Sequence, residues 1–225
     1  MASSQSKFYA ALALILVAGA ALIGYAAIRE EPEPPVDTAA IPTGSSGELV
    51  SAEVGVSKGE LDAAVVIEEY ADFQCGYCGM VATLTIPQIM EEYVETGKAR
   101  FIFFDYPLGP GASVLAAEAA RCAGDQNAYW PMHRVLFTRM REWGSKREPR
   151  GIFGEYADAL GLDGRALEEC VESHKYREIV LASQLRARQL GLNSTPTFFI
   201  NGRRHTGAMG YDQLAALIEQ ELGKQ

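Results

Sequence analysis

The chain has 225 residues, of which 48% are hydrophobic and 22% charged, and its formal net charge at pH 7 is -9. This length allows one large domain or two small ones, with a sizeable core. The acidic balance argues against nucleic acid as a partner, because proteins that bind it present basic surfaces to the phosphates.

The first predicted element is an apolar helix at residues 8–28, a stretch without a charged side chain. At 1.5 Å per residue this helix would be roughly 31 Å long, which matches a bilayer core of about 30 Å. We therefore expect residues 1–29 to be an uncleaved signal anchor, with one membrane span and the rest of the chain outside the cytoplasm. The alternative is a cleaved signal peptide and a secreted or periplasmic protein, but the small-residue site Ala18-Gly19-Ala20 lies inside the apolar run.

Residues 30–48 are rich in proline, glycine, serine and acidic residues, and they lack the apolar content needed to pack. This composition predicts a tether that holds a globular domain, residues 49–225, away from the membrane. The even number of cysteines, four, suits an oxidising compartment.

The most informative stretch is Cys75-Gly76-Tyr77-Cys78, which lies between a predicted buried strand at 64–70 and a predicted helix at 79–96. If Cys75 begins that helix, unpaired backbone N–H groups and the helix dipole favour its thiolate. Cys75 is then the nucleophile, and Cys78 is placed to resolve the mixed disulfide that it forms.

A CxxC pair has two other common roles, as part of a zinc site or as a structural disulfide. A zinc site needs four ligands, but Cys122 and Cys170 stand alone and the three histidines are scattered. We therefore expect no metal and no cofactor. An inert structural disulfide is the stronger alternative, although it does not need a strand-to-helix setting.

The remaining pattern predicts an α/β domain. A strand at 98–106 completes a parallel βαβ unit, and Pro87 should kink or interrupt its helix. No strand is predicted from about 112 to 191, which indicates an all-helical insertion with helices at 113–123, 129–140, 152–160, 164–173 and 176–190. A hairpin follows, with strands at 197–200 and 203–206 joined by Asn201-Gly202, and a helix at 211–222 ends the domain.

Basic residues cluster in one predicted loop of the insertion. A solvated loop is favoured over a partner-binding patch, because an isolated charge run is normally exposed. The cluster consists of Arg139, Arg141, Lys146, Arg147 and Arg150.

This order of elements resembles the thioredoxin fold with the helical insertion of DsbA-like disulfide oxidoreductases, over roughly residues 49–225. Four motifs carry the resemblance: YADFQCGYC at 70–78, AAEAARCA at 116–123, YWPMH at 129–133 and NSTPTFFING at 193–202.

The resemblance implies roles for several residues. The Thr195-Pro196 peptide bond is expected to be cis and to face the CxxC, and the substrate is expected to contact these two residues with Gly76 and Tyr77. Glu69 takes the place of a buried acid that relays the Cys78 proton, with Glu68 as the rival. Cys122 and Cys170 are expected to form a structural disulfide, with two separate buried thiols as the alternative.

The implied activity is thiol-disulfide exchange with exported proteins that carry free thiols, most simply as a disulfide-donating oxidase. A quinone-linked membrane reoxidase of the DsbB or VKOR type would be its redox partner. Gly76 and Tyr77 stand where the strongest oxidants of the family have Pro-His, so we expect a less extreme oxidant. A reductase or isomerase of the same fold, and a non-catalytic tethered binding module, are the alternatives.

Overall fold

A computed structural model of the protein describes residues 50–224. The expected anchor at 1–29 and tether at 30–48 lie outside the described residues. Within 50–224, none of the helices has the length and apolar character needed to cross a bilayer.

The domain is built on a five-stranded sheet with the strand order β1-β3-β2-β4-β5. β2 and β3 are parallel, and the other three neighbouring pairs are antiparallel. The strands are β1 (Val56–Lys58), β2 (Val65–Ala71), β3 (Ala99–Asp105), β4 (Thr197–Ile200) and β5 (Arg203–Thr206). The central strands β2, β3 and β4 are almost wholly buried, as their near-continuous apolar sequences require.

The crossover from β2 to β3 is a continuous helical run, α1, at residues 76–94. It alternates α-helical turns at Gly76–Met80 and Ile86–Ile89 with π-helical turns at Val81–Thr85 and Met90–Val94. Pro87 lies in the second α-helical turn, where it cannot donate a backbone hydrogen bond. The expected interruption therefore takes the form of a π-helical turn just before the proline, and the helix continues.

Six helices lie between β3 and β4, so the predicted helical insertion is confirmed. They are α2 (Ala112–Gly124), α3 (Tyr129–Thr138), α4 (Met140–Trp143), α5 (Arg150–Ala159), α6 (Gly164–Glu172) and α7 (Arg177–Gln189). A disulfide joins Cys122 of α2 to Cys170 of α6, with an S–S distance of 2.00 Å. These are the two cysteines that the resemblance pairs. α8 (Tyr211–Leu222) ends the domain.

The two faces of the sheet are covered by different helices. One face packs with α1, α8 and much of the insertion in the larger core, which includes Ile67, Phe101 and Phe198. The other face packs against α7 through a smaller core that contains Tyr70 and Phe104.

A buried arginine holds α7 on this second face. Arg186 donates to the Tyr70 hydroxyl at 2.9 Å and to the Val50 carbonyl at 2.6 Å, and it lies 3.7 Å from Glu68. The first described residue, Val50, is therefore fixed to α7.

The first testable prediction concerns the Cys122–Cys170 disulfide. In the chain-entropy model a crosslink that closes a loop of 48 residues stabilises the folded state by at most about 4 kcal/mol. We expect C122A/C170A to lower the free energy of unfolding in urea by roughly 2–4 kcal/mol.

This measurement is best made in a C75S/C78S background, so that exchange by the other cysteine pair does not change the result. An unchanged free energy of unfolding would contradict a stabilising role for the disulfide.

Candidate active site

Cys75 is the N-cap residue of α1. Its extended backbone (φ -79°, ψ 118°) precedes the first helical turn, and its sulfur accepts a hydrogen bond from the Cys78 N–H at 3.3 Å. β2 ends at Ala71 and the helix begins at Gly76, so the cysteine lies at the strand-to-helix junction expected from the sequence. The orphan N–H groups of the first turn therefore point towards the sulfur.

The surroundings of Cys75 stabilise its thiolate. A hydrogen bond from the Cys78 thiol has the largest effect, and the backbone N–H groups of Tyr77 and Cys78 add to it. Together they outweigh partial burial and lower the pKa of Cys75 from 9.0 to about 6. At neutral pH the Cys75 sulfur is therefore mostly a thiolate, the reactive form of cysteine.

Cys78 differs from Cys75 in both its burial and the direction of its pKa shift. Its side chain is fully buried, whereas Cys75 is partly exposed, and both cysteines are free thiols in the structure. Burial is the main cause that raises the pKa of Cys78, and the nearby Cys75 and Glu69 raise it further. A partner thiol therefore meets Cys75 first, and Cys78 must lose a proton before it can act as a nucleophile.

The Thr195-Pro196 segment lies directly against Cys75. The peptide bond between these residues is cis, and the Thr195 carbonyl oxygen lies 3.4 Å from the Cys75 Sγ, from which it accepts a hydrogen bond when Cys75 is a thiol. Gly76 and Tyr77 are exposed on the first turn of α1, and the exposed fraction of Tyr77 is 67%. Four of the predicted site residues are thus brought together around one sulfur.

The two neighbouring glutamates of β2 lie on opposite faces of the sheet. Glu69 is completely buried on the face whose core includes Cys78, and within residues 50–224 neither of its carboxyl oxygens has a hydrogen-bond partner. Burial, with a smaller effect of the Cys75 charge, raises the pKa of Glu69 from 4.5 to about 8. Glu68 instead faces Arg186 on the other side, so it is not placed below the cysteines.

Sequence reasoning missed the part played by Asp72. Its carbonyl accepts from the Cys75 N–H at 2.9 Å, and its side chain accepts from the Gln74 N–H and the Leu108 N–H, each at 2.8 Å, and from the Ser113 hydroxyl. These contacts fix the loop that presents Cys75. The available signal was an aspartate that opens a turn and accepts from the backbone two residues later.

Below the site, His133 is packed among aromatic rings. Its ring centroid lies 4.5 Å from that of Phe103, 4.9 Å from Phe137 and 5.5 Å from Phe73. Burial lowers the pKa of His133 to about 3, so the ring is neutral and serves as core. Within 50–224 no group of three or more histidine, cysteine or acidic side chains is arranged to hold a metal ion.

The chain is similar to known proteins of the thioredoxin type. Residues 51–220 match a protein-family model described as Thioredoxin. The α-DsbA1 of Wolbachia pipientis has a crystal structure similar to this fold, with a TM-score of 0.69, 24% identity and coverage of 76% of this chain and 92% of that one.

Two curated relatives are longer than this chain. It is 34% identical over 164 residues to a Na⁺/H⁺ antiporter of Salinispora arenicola, which covers 72% of this chain but 24% of the antiporter. It is 23% identical to a Rickettsia conorii protein provisionally named a protein-disulfide oxidoreductase, over 74% of this chain and 60% of that protein. The chain thus spans about a quarter of the first relative, whose name describes a much longer protein.

The second testable prediction is the pH dependence of Cys75 reactivity. In the reduced protein, the rate of alkylation by iodoacetamide should rise with a midpoint near pH 6, because only the thiolate reacts. C78A removes the thiol hydrogen bond but keeps the backbone donors, so it should raise this midpoint. A midpoint above pH 8 in the unmodified sequence would contradict the described stabilisation.

The third testable prediction concerns Glu69, measured in oxidised protein, where neither Cys75 nor Cys78 titrates. In oxidised protein the Cys75 charge is absent, but burial, the larger cause, still raises the pKa of Glu69, so the folded state keeps this proton over a range of pH in which the unfolded chain has released it. The folded state therefore binds more protons in this window, and the free energy of unfolding should fall by on the order of 2–4 kcal/mol as the pH rises from 5 to 8.

E69Q is the matched variant for this measurement, because its amide does not titrate. The loss of stability between pH 5 and 8 should be much smaller in E69Q. Equal slopes in the two proteins would show that Glu69 titrates normally.

Proposed function

We propose that this chain, which belongs to the thioredoxin family and has the fold of DsbA-like disulfide oxidoreductases, donates disulfides to exported proteins through Cys75 and Cys78. The observation that carries this proposal is the contrast between the two sulfurs. Cys75 is accessible with a lowered pKa, and Cys78 is buried with a raised one. An inert structural disulfide does not require one accessible cysteine with a lowered pKa and one buried cysteine with a raised pKa.

The reaction begins with the protein in its oxidised form. A substrate thiolate attacks the Cys75 sulfur, the Cys75–Cys78 bond breaks, and Cys78 leaves and takes up a proton. A second substrate thiolate then attacks the substrate sulfur of the mixed disulfide, and Cys75 leaves as a thiolate. In total the substrate loses two electrons and becomes a disulfide, and the protein gains them and becomes a dithiol.

The pKa of Cys75 supports the oxidising direction. A stabilised thiolate is a good leaving group and favours the reduced form of the protein, so its disulfide is readily given away. A value of about 6 lies between that of a free cysteine, about 8.5, and that of DsbA, about 3.5. The protein is therefore proposed to be an oxidant, but a weaker one than DsbA, which agrees with the absence of an imidazole between its cysteines.

Glu69 is the proposed proton relay for Cys78. It is buried on the same side of the sheet as Cys78, and its raised pKa of about 8 lets it hold or release a proton near neutral pH. The proton that Cys78 gains or loses during exchange would pass through this carboxyl group.

The surface beside Cys75 suits an unfolded substrate. Tyr77, Met80 and Leu84 lie on one exposed stripe of α1, with exposures of 67%, 45% and 64%. The Thr195 backbone on the other side of the sulfur would pair with an extended segment that contains the substrate cysteine. Apolar contacts and backbone pairing together would bind many sequences with little selectivity.

The proposed setting is extracytoplasmic, with an anchor at residues 1–29 or, alternatively, a cleaved signal peptide. Exported proteins would be the substrates, and a quinone-linked membrane reoxidase of the DsbB or VKOR type would restore the disulfide. The alternative in which an electron donor keeps the same pair reduced, as in a reductase or isomerase, uses the same residues and differs in the redox potential. A non-catalytic binding module is disfavoured by the lowered pKa of Cys75.

The fourth testable prediction separates these functions. C75S should abolish oxidation of a reduced substrate protein. C78A has no disulfide to donate, but its Cys75 thiolate should attack a disulfide of an oxidised substrate protein, expel one substrate thiolate and stay in the mixed disulfide, because no internal thiol remains to release it. Mass spectrometry of the trapped adducts is the measurement. A C75S protein with full activity would favour the non-catalytic module.

Titration of the Cys75–Cys78 pair against glutathione gives its redox potential, which decides the direction of disulfide exchange. We expect a potential between about -270 mV, the thioredoxin value, and about -120 mV, the DsbA value. A potential below the thioredoxin value would favour the reductase.

A further inference from the structure

The helical insertion contains a groove next to the loop that follows β3. It encloses about 610 Å³ and is lined by residues 108–111, the first turn of α2, the segment before α5, and α7. Leu108 and Leu181 give it apolar walls and are 53% and 44% exposed. A groove of this size and apolar lining suits a short peptide segment.

The charged lining of the groove is predominantly basic. Arg147, Arg150, Arg177 and Arg188 line it, with Glu148 as the acidic member. Arg150 is paired with Glu148 and Glu172, at 3.4 and 3.3 Å. Among the described residues Arg147 and Arg188 form no ion pair, and both are exposed. Two guanidinium groups in a chain of net charge -9 are thus left without a counter-charge.

Buried contacts fix the side of the groove that α7 forms. Glu118 is fully buried, accepts from Arg177 Nε at 2.6 Å and contacts His174 Nδ1 at 3.1 Å. Gln184 of α7 donates to the carbonyl of Pro107. The groove is therefore formed before any ligand arrives, which lowers the entropy lost on binding.

The groove is connected to the cysteine loop by short contacts. The Leu108 N–H donates to the Asp72 side chain at 2.8 Å, and the Asp72 carbonyl accepts from the Cys75 N–H at 2.9 Å. Three residues span at most about 11 Å, and an extended peptide covers about 3.3 Å per residue. A substrate whose cysteine is at Cys75 would therefore reach the near edge of the groove, at Leu108, with residues a few positions away.

We infer that this groove binds an acidic, partly apolar segment of the substrate protein, so that the protein prefers thiols flanked by a cluster of aspartate or glutamate residues. The inference rests on the proposed function and adds a substrate class to it. Carboxylates match the two unpaired arginines, which are suited to planar bidentate binding, and apolar side chains match Leu108 and Leu181.

Binding is tested with the full chain and a fluorescein-labelled, cysteine-free peptide that contains four glutamates and two leucines. A peptide with four glutamines in place of the glutamates is the matched control. The glutamate peptide should bind about tenfold more tightly by fluorescence anisotropy at low salt, because two ion pairs are gained. R147Q/R188Q should remove this difference.

R134Q/R141Q is the matched control variant, because it removes the same charge from exposed arginines that do not line the groove. It should change the affinity less than twofold. Equal affinity for the two peptides, or an equal loss of affinity in both variants, would overturn the inference. So would arginine-dependent binding to phosphatidylglycerol vesicles without binding of the glutamate peptide, which would assign the groove to a lipid surface.

Exchange is tested separately with two-cysteine versions of the same peptides. The oxidised protein should oxidise the glutamate peptide about tenfold faster than the glutamine peptide, and R147Q/R188Q should oxidise both at the slower rate. Equal rates with both peptides overturn the substrate preference and leave the proposed function standing. No oxidation of either peptide contradicts the proposed function, and the anisotropy measurement then still decides what the groove binds.

Discussion

The contact of Cys78 with the Cys75 sulfur, through the Cys78 thiol and its backbone N–H, is the one on which the site depends. It exists because α1 begins directly after Cys75, and α1 begins there because Asp72 fixes the turn that leaves β2. The same helical turn carries Cys78 into the core. The turn from β2 into α1 thus makes the Cys75 sulfur accessible and anionic and the Cys78 sulfur buried and protonated.

The buried charges elsewhere in the domain show how unusual Glu69 is. Arg121 donates to Asp105 at 2.6 Å inside the core, and Arg186 lies beside Glu68. In both cases an acid and a base are buried together, as the energetics of buried charge requires. Glu69 is buried without such a partner, and its proton takes the place of a counter-ion. Unpaired buried acids of this kind occur at functional sites more often than in ordinary cores.

Much of the fold was predictable because local patterns determined it. The hairpin of β4 and β5 and the final helix were predicted with the observed bounds, since Asn201-Gly202 and a regular apolar period mark them. β1 was missed because three residues carry too little periodicity. The alternation of side chains along β2 predicted that Glu68 and Glu69 lie on opposite faces of the sheet. Long-range packing decided which of the two glutamates shares a face with Cys78. The contacts of Asp72 with Leu108 and Ser113 likewise join residues 36 and 41 positions apart, which no local pattern reveals.

The Cys122–Cys170 disulfide has a consequence for how the protein matures. Four thiols can be joined into two disulfides in three ways. The observed disulfide joins cysteines 48 residues apart, and the two free thiols, Cys75 and Cys78, are 3 residues apart. The nearer pair closes a far smaller ring, so chain statistics favour it in the unfolded polypeptide. The distant pair needs α2 and α6 to meet, and an oxidant must supply its disulfide. Under the proposed function a finished copy of the protein is such an oxidant, and each new molecule would be a substrate of the molecules made before it.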